Sequence, residues 1–169
     1  PDFEFVLKGN EVDFRTGLSA IAKIAPTTLG ISAAQTCETL TDAKNVDLYA
    51  FKGAHPAGNV GVQINNFKPI NKGEIVWTAN AQDVIVIGRI LNGKCDFSRI
   101  ITIAGSEIVA PAYAKVQAGA SLADILDGKV KHVEYKQRVI NGDVLTGVAT
   151  GLAGSLNFKG QTVTVIPEG

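Results

Sequence analysis

Apolar residues in the first third of the chain occur first at helical spacing and then in short continuous runs. The apolar positions of residues 11–25 fall on one helical face, at Phe14, Leu18, Ile21, Ala22 and Ala25. Asp13 is the expected N-cap, and Pro26 ends the helix because its ring disfavours a helical backbone. The run at 27–34 predicts a short buried strand, and the run at 46–51 predicts a second strand. This order of helix and strands indicates a parallel α/β layer.

The middle of the chain has a less regular pattern. Residues 62–77 are expected to be extended and turn-rich around Pro69 and Gly73. Residues 78–94 contain the run VIVIGRIL, whose β-branched residues favour a strand, whereas its length and the closing Asn-Gly favour a helix. A buried helix is the preferred interpretation, because helix-forming residues precede the run and a strand-like run follows it.

From Phe97 onward the pattern is dominated by strands. The expected elements are two strands within 98–119 separated by a Gly-Ser-Glu turn, a short helix at 121–128, and strands at 136–147 and 161–167. Two strands, a helix and two more strands form an α+β arrangement of β-grasp type. The sequence therefore predicts two domains, an α/β domain over 1–96 and an α+β domain over 97–169.

Composition and charge narrow the class of protein. Hydrophobic residues make up 46% of the chain and charged residues 19%, which is typical of a globular protein with a core. Sixteen basic and sixteen acidic residues cancel, so nucleic acid has no electrostatic attraction to the chain. No apolar run approaches the roughly 20 residues that span a bilayer. Cys37 and Cys95 are isolated, which argues against a zinc site or disulfide framework and indicates a reducing, cytosolic setting.

The glycine-rich stretch GAHPAGNVG, residues 53–61, is the most conspicuous candidate site. Gly53 and Gly58 have the spacing of a phosphate-binding Walker loop, but Asn59 and Val60 occupy the positions that require Lys and Ser or Thr. Pro56 stands where a dinucleotide fingerprint needs its first glycine. The turn-rich segment expected next also offers no strand-loop-helix. The pattern thus excludes both standard phosphate loops.

His55 and Trp77 are the remaining candidates in this region. His55 could titrate near neutral pH, but no carboxylate or nucleophile lies near it in sequence, so a hydrogen-bonded turn residue is the simpler interpretation. Trp77, the one tryptophan, could stack on an aromatic ligand, although a buried anchor under the loop is the expected role. The residues alone therefore indicate no catalytic centre, no cofactor site and no metal site.

Five phrases, taken together and in order, resemble the A subunit of the bacterial sodium-translocating NADH:quinone reductase. They are FRTGLSAIAKI (14–24), GAHPAGNVGVQIN (53–65), VWTANAQDVIVIGRIL (76–91), RVINGDVLTG (138–147) and VTVIPEG (163–169). The resemblance covers nearly the whole chain and places it in the middle of that subunit. The absence of methionine, even at the first position, also indicates an internal piece of a longer protein.

The resemblance implies a Rossmann-like layer followed by a β-grasp domain of the soluble-ligand-binding type, as in the flavoprotein subunit of complex I and the C subunit of the Rnf complex. Those relatives bind flavin mononucleotide through a longer glycine-rich loop, whereas this chain has only Gly9 and Gly17 at the equivalent place. The resemblance therefore implies a piece that binds no cofactor itself and is not catalytically competent alone. Flavins, iron–sulfur centres and the sodium path are expected in partner subunits.

The same resemblance implies a peripheral subunit on the cytoplasmic face of the bacterial inner membrane, docked on the membrane subunits and in contact with quinone. The contact residues expected for a ligand or partner are His55, Pro56, Gly58, Asn59, Gly61 and Trp77. Two alternatives remain open at this point. One is a flavin- or nucleotide-binding domain of the Rnf or complex I type, and the other is a β-grasp module that binds a small molecule.

Overall fold

The computed structural model describes residues 2–169, which form two compact units, Asp2–Asp96 and Phe97–Gly169. The elements of the first unit are α1 (Phe3–Leu7), α2 (Glu11–Ile24), β1 (Thr28–Ser32), α3 (Glu38–Thr41), β2 (Asp47–Phe51), α4 (Val60–Phe67) and α5 (Ala81–Leu91). No helix among residues 2–169 is long and apolar enough to cross a membrane.

Helix α2 confirms the helix expected at 11–25, but its N-terminus differs from the prediction. Asn10 is the N-cap, and the first turn already includes Asp13. Asp13 is buried, and its carboxylate accepts hydrogen bonds from Asn92 and Lys94 instead of capping the helix. The N-cap prediction for Asp13 was therefore wrong, because partners distant in sequence hold this side chain.

Helix α5 confirms the helical interpretation of residues 78–94. Asn80 and Asp83 form a capping box, in which each side chain accepts a hydrogen bond from the backbone N–H of the other residue. Helices α2 and α5 pack closely because two glycines lie at their crossing. A Cβ on Gly17 would overlap the carbonyl oxygen of Val84, and a Cβ on Gly88 would overlap that of Asp13.

Strands β1 and β2 form a two-stranded parallel sheet, which confirms the parallel pairing expected from the sequence. Thr28 is paired with Asp47 and Ser32 with Phe51. Every side chain of both strands is exposed or half-buried, so the prediction of a buried first strand was wrong. The buried apolar residues of this unit lie instead mainly on α1, α2 and α5, namely Val6, Leu7, Phe14, Leu18, Val84, Ile85 and Val86, with Leu40 from α3.

Helix α4 contradicts the extended conformation expected for residues 62–77. It begins at the end of the glycine-rich loop and buries none of its residues, although Val60, Ile64 and Phe67 recur at helical spacing. Tyr49 of β2 stacks on Phe67 at the end of α4, with ring centroids 4.7 Å apart. Residues 68–80 then lead to α5 without regular secondary structure.

The second unit consists of a five-stranded mixed sheet and one short helix. Its elements are β3 (Ser98–Ala104), β4 (Ala112–Gln117), α6 (Leu122–Leu126), β5 (Gln137–Asn141), β6 (Val148–Ala149) and β7 (Thr162–Pro167). The strand order is β4-β3-β7-β5-β6, with β3 and β7 parallel and the other pairs antiparallel. The expected strands and the short helix are confirmed, and the short β6 was not expected.

The core of the second unit lies between its sheet and α6. The buried cluster contains Ile101, Ile103, Ile108, Leu122, Ile125, Leu126, Val139, Leu156, Val163 and Val165. Ser121 caps α6 by accepting a hydrogen bond from the backbone N–H of Asp124. Gly105, with φ +121°, turns the chain after β3 so tightly that any Cβ would meet the carbonyl oxygen of Val165. The turn therefore requires glycine.

Candidate functional site

The glycine-rich loop connects the end of β2 to the first turn of α4. This arrangement is a strand, a loop and a helix, so the sequence-based argument that no such unit exists here was wrong. His55, Pro56, Gly58 and Asn59 lie in the loop, and Gly61 lies in the first turn of the helix. All five residues are exposed, and the structure brings them together in one short segment.

Backbone hydrogen bonds give the loop a defined shape. The Ala57 N–H donates to the carbonyl of Ala54 at 2.9 Å, and the Asn59 N–H donates to that of Pro56 at 2.8 Å. The His55–Pro56 peptide is cis. The side chain of Gln63, one turn into α4, donates to the carbonyl of Ala57 at 3.2 Å and so attaches the loop to the helix.

The first turn of α4 leaves its backbone N–H groups available to a partner. The first amides of any helix lack intrahelical acceptors, and the helix dipole favours a negative or carbonyl group beside them. The Asn59 side chain does not cap this end. A Cβ at Gly58 or at Gly61 would meet nothing within 4 Å, so packing inside the chain does not explain either glycine. The loop can therefore present bare backbone to a carbonyl, an amide or an anion.

Trp77 lies on a different segment from the loop. It is 92% exposed, so the expectation of a buried anchor under the loop was wrong. Its neighbours Ile75 and Val76 are 82% and 47% exposed. Residues 75–77 thus form an exposed apolar segment in the chain between α4 and α5. The sequence alone does not indicate this exposure, because large apolar side chains are normally buried.

A buried polar cluster at the start of α2 and the end of α5 was also missed by the sequence analysis. Lys94 Nζ lies 2.9 Å from each carboxylate oxygen of Asp13, and Asn92 Nδ2 donates to the same carboxylate at 2.7 Å. Arg89 donates from Nη2 to Asn10 Oδ1 at 2.7 Å, and its Nε is 4.0 Å from Asp13. The cluster joins the two ends of the first unit's sequence.

The electrostatics of this cluster favour the ionised form of Asp13. Burial raises the pKa of the Asp13 carboxyl group, which is the largest single effect. The hydrogen bonds from Asn92 and Lys94, with the charges of Lys94 and Arg89, together outweigh burial and hold the pKa below its ordinary value. Asp13 therefore has a structural role, and the neighbouring cations Lys94 and Arg89 compensate the charge of its carboxylate.

A second buried carboxylate lies in the turn after β3. Glu107 is 4% exposed and accepts hydrogen bonds from the Tyr135 hydroxyl at 2.8 Å and from Gln137 Nε2 at 3.4 Å. The bond from Tyr135 is the largest cause that lowers the pKa of Glu107, and the same bond raises the pKa of Tyr135. This contact attaches the loop before β5 to the turn after β3.

Metal-binding chemistry has no obvious site in the part of the chain that the structure describes. Residues 2–169 contain no group of three or more His, Cys, Asp or Glu side chains placed to hold a metal ion. Cys37 is half-buried, Cys95 is exposed, and both are free thiols.

Two family models match the chain, one in each unit. The model described as the NqrA second alpha/beta domain matches residues 1–95. The model described as the NQRA C-terminal domain matches residues 100–151.

Curated relatives named as the A subunit of Na(+)-translocating NADH-quinone reductase are similar over most of the chain. The protein of Neisseria meningitidis serogroup C is 32% identical over 167 residues, which is 97% of this chain and 37% of the relative. That of Saccharophagus degradans is 33% identical over 151 residues, 88% of this chain and 33% of the relative. That of Vibrio alginolyticus is 32% identical over 168 residues, which is 98% of this chain and 37% of the relative. The chain thus spans little more than a third of these relatives' length.

Proposed function

Because the chain belongs to the NqrA family, we propose that it forms the central part of a peripheral subunit in a sodium-translocating NADH:quinone reductase. The single observation that carries this proposal is that NqrA-family models match both units of the chain. In this role the chain lies at the cytoplasmic face of the bacterial inner membrane. It binds no flavin, iron–sulfur centre or sodium ion itself, and it contributes a scaffold with docking surfaces for the membrane subunits.

The two units act in this proposal as separate domains, 1–96 and 97–169. A Rossmann-like assignment of the first is supported by its parallel strands and following helices. A β-grasp assignment of the second is supported by the mixed sheet with α6 packed against the core. A reductase subunit of this kind takes part in catalysis through its partners, whereas this piece alone carries no reaction.

The proposed docking surface consists of the loop residues His55, Pro56, Gly58, Asn59 and Gly61, together with Trp77. The loop offers exposed backbone at the start of α4, and Trp77 offers an exposed apolar ring. Aromatic side chains supply much of the binding energy at protein interfaces, and a quinone ring can stack on the same surface. Contact with a partner or with quinone would explain why these residues are not buried within the chain.

Cross-linking tests the docking role in the assembled enzyme. Cys37 and Cys95 are first replaced by serine, and Asn59→Cys is then introduced for reaction with a short bifunctional reagent. We expect a covalent product with another subunit. Glu134→Cys, an exposed position in the second unit, is the matched control and should give little product. Equal products from both positions, or none from Asn59→Cys, would reject the loop as a contact surface.

Quinone contact is tested separately through Trp77, which is the one tryptophan of the chain. A short-chain quinone is titrated against the chain while tryptophan fluorescence is recorded. We expect saturable quenching at low quinone concentration. A quinol ether of similar size and polarity should give no such quenching. Quenching that rises linearly with concentration would indicate collision alone and would remove quinone from the proposal.

One observation favours a second candidate function, flavin or nucleotide binding. The glycine-rich loop joins a strand to a helix N-terminus, which is the arrangement that binds phosphate groups in many nucleotide-binding proteins. Pro56 and the Asn59-Val60 pair are the residues that argue against it. Flavin absorbance that copurifies with the chain, or calorimetric binding of flavin mononucleotide, would favour this function over the scaffold.

A further inference from the structure

Strands β1 and β2 leave both edges of their sheet open. The Asp47 N–H donates to the carbonyl of Thr27 at 2.9 Å, and the Ala33 N–H donates to that of Phe51 at 2.8 Å. Because backbone groups alternate in direction along a strand, these bonds fix which residues face the partner strand. On β1 the outward-facing backbone groups belong to Thr28, Gly30 and Ser32, and on β2 to Leu48 and Ala50.

The outward-facing groups pair with no strand among residues 2–169, since this sheet contains β1 and β2 alone. Of the three outward carbonyls on β1, that of Ser32 accepts a bond from the Gln35 N–H at 2.9 Å. The side chains are also poorly covered, because Leu29 and Ile31 are half-buried and Leu48 is 40% exposed. Parallel sheets occur almost only with both faces buried, and two strands are too few for independent stability.

The connection into β1 distinguishes its edge from that of β2. Residues 25–27 alone separate the end of α2 from the start of β1. A helix that enters a parallel strand by so short a link is normally the second half of a βαβ unit, whose first strand lies parallel in the same sheet. The helices α1 and α2 occupy the chain before β1, so no strand of the described residues fills that place.

We propose that the outer edge of β1 receives a further parallel strand, supplied by the longer polypeptide of this family from the region before α1. The relatives are longer than this chain, which corresponds to only 37% of the Neisseria meningitidis protein. The added strand forms hydrogen bonds with the outward-facing backbone groups of Thr28, Gly30 and Ser32, both as acceptor and as donor. Its side chains extend the face of the sheet that contains Leu29 and Ile31. This inference does not depend on the proposed role in sodium pumping.

A second copy of the chain is a less suitable occupant of this edge. A two-fold axis would place the two β1 strands antiparallel, whereas the sheet and its helical connection are of the parallel type. If the β1 edge of the chain alone becomes more protected from hydrogen exchange as its concentration rises, the occupant is a second copy, and the proposal is overturned.

Amide hydrogen exchange measured by NMR tests the proposal. The part of the Neisseria meningitidis serogroup C protein that precedes its match to this chain is fused to Asp2, and the fused protein is compared with the chain alone. The N–H groups of Thr28, Gly30 and Ser32 should exchange at least about tenfold more slowly in the fused protein, as one added hydrogen bond per amide implies. The outward amides of Leu48 and Ala50 on β2 are the internal control and should not change.

Two proline variants of the fused protein distinguish the edges. Thr28→Pro removes one outward N–H of β1 and should abolish the added protection at Gly30 and Ser32, whereas Ala50→Pro on β2 should leave it intact. The inward amide of Leu29 reports whether the sheet is formed. The proposal would be overturned if fusion slowed the exchange of the β2 amides alone. It would also be overturned if the Leu29 amide were protected while the amides of Thr28 and Gly30 were not. Loss of protection at Leu29 on fusion would also overturn it, because a docked strand should stabilise β1.

Discussion

Lys94 Nζ lies within 2.9 Å of both carboxylate oxygens of Asp13, a residue 81 positions earlier in the chain. This contact links the first turn of α2 to the segment that follows α5. It is partly open to solvent, because the Lys94 side chain is 55% exposed while that of Asp13 is 5% exposed. Arg89, whose side chain is 7% exposed, lies on the buried side of the same carboxylate. Arg89 also lies 3.6 Å from the Asp96 carboxylate, so Asp13 and Asp96 together balance the two cations.

Asp13→Asn should destabilise the first unit by about 2–3 kcal/mol. The substitution leaves Arg89 with less compensating charge in a buried position, which is costly, although the exposure of Lys94 reduces the effect. Urea unfolding followed by circular dichroism measures the change. Asp42→Asn is the control, since Asp42 pairs with Lys44 on the surface, and it should change stability by less than about 0.5 kcal/mol. Equal effects of the two variants would contradict the importance of the buried pair.

The contribution of Asp13 should depend on pH in a defined direction. Its pKa in the folded chain lies below the ordinary value of 3.8, so the unfolded chain binds the proton more readily. The stabilisation by the ionised Asp13 carboxylate is complete above about pH 4. It is lost as the pH falls through the pKa that Asp13 has in the folded chain, which is the lower of the two. The difference in unfolding free energy between the original chain and Asp13→Asn should therefore shrink between pH 6 and pH 2. In a Lys94→Met background the loss should be smaller and should end at a higher pH, because the folded pKa of Asp13 moves up toward the unfolded value. A difference that is constant with pH would contradict this assignment.

Gly88→Ala should destabilise the first unit by about 2 kcal/mol or more, because the added methyl group would overlap the Asp13 carbonyl and force α2 and α5 apart. Gly61→Ala is a matched control in α4, where a Cβ meets nothing within 4 Å. There alanine should stabilise by about 0.5 kcal/mol, because it favours the helix more than glycine does. Thermal unfolding of both variants gives the comparison. A tolerated Gly88→Ala would mean that the helices can cross farther apart at little cost.

Tyr135→Phe should weaken the second unit, because the carboxylate of Glu107 loses its shortest hydrogen bond. The pKa of Glu107 should also rise, since that bond is the largest cause of its lowered value. Chemical unfolding and NMR titration of the glutamate carboxyl measure the two effects. Tyr49→Phe, which preserves the ring stacked on Phe67, should change neither quantity. An unchanged Glu107 pKa in Tyr135→Phe would contradict the described contact.

Sequence periodicity predicted the elements whose apolar residues face a core. Helices α2 and α5 and the strands of the second unit have buried faces, so their spacing carries a clear signal. Helix α4 was missed because it is only eight residues long and follows a stretch that is typical of a turn. The exposure of Trp77 was missed because burial depends on what else covers the side chain and not on residue type.

The buried carboxylates could not be predicted because their partners are distant in sequence. Asp13 has the position of an N-cap when only its neighbours are considered, whereas Asn92 and Lys94 follow some 80 residues later. Glu107 belongs to a turn whose sequence is typical of solvated loops, and Tyr135 lies 28 residues away. The candidate loop was located correctly in sequence, and its role as a contact surface stays a prediction.

The polar cluster of Asp13, Arg89 and Lys94 has a consequence for how the first unit can be engineered. Residues 10–13 and 92–96 meet at this one cluster, so the start of α2 lies beside the segment that follows α5. Units with neighbouring ends tolerate insertion into a host loop and rearrangement of their termini. A linker from Asp96 back to Asp2, long enough to pass α1, with new termini opened at the exposed loop beside Gly58, would therefore give a circularly permuted unit.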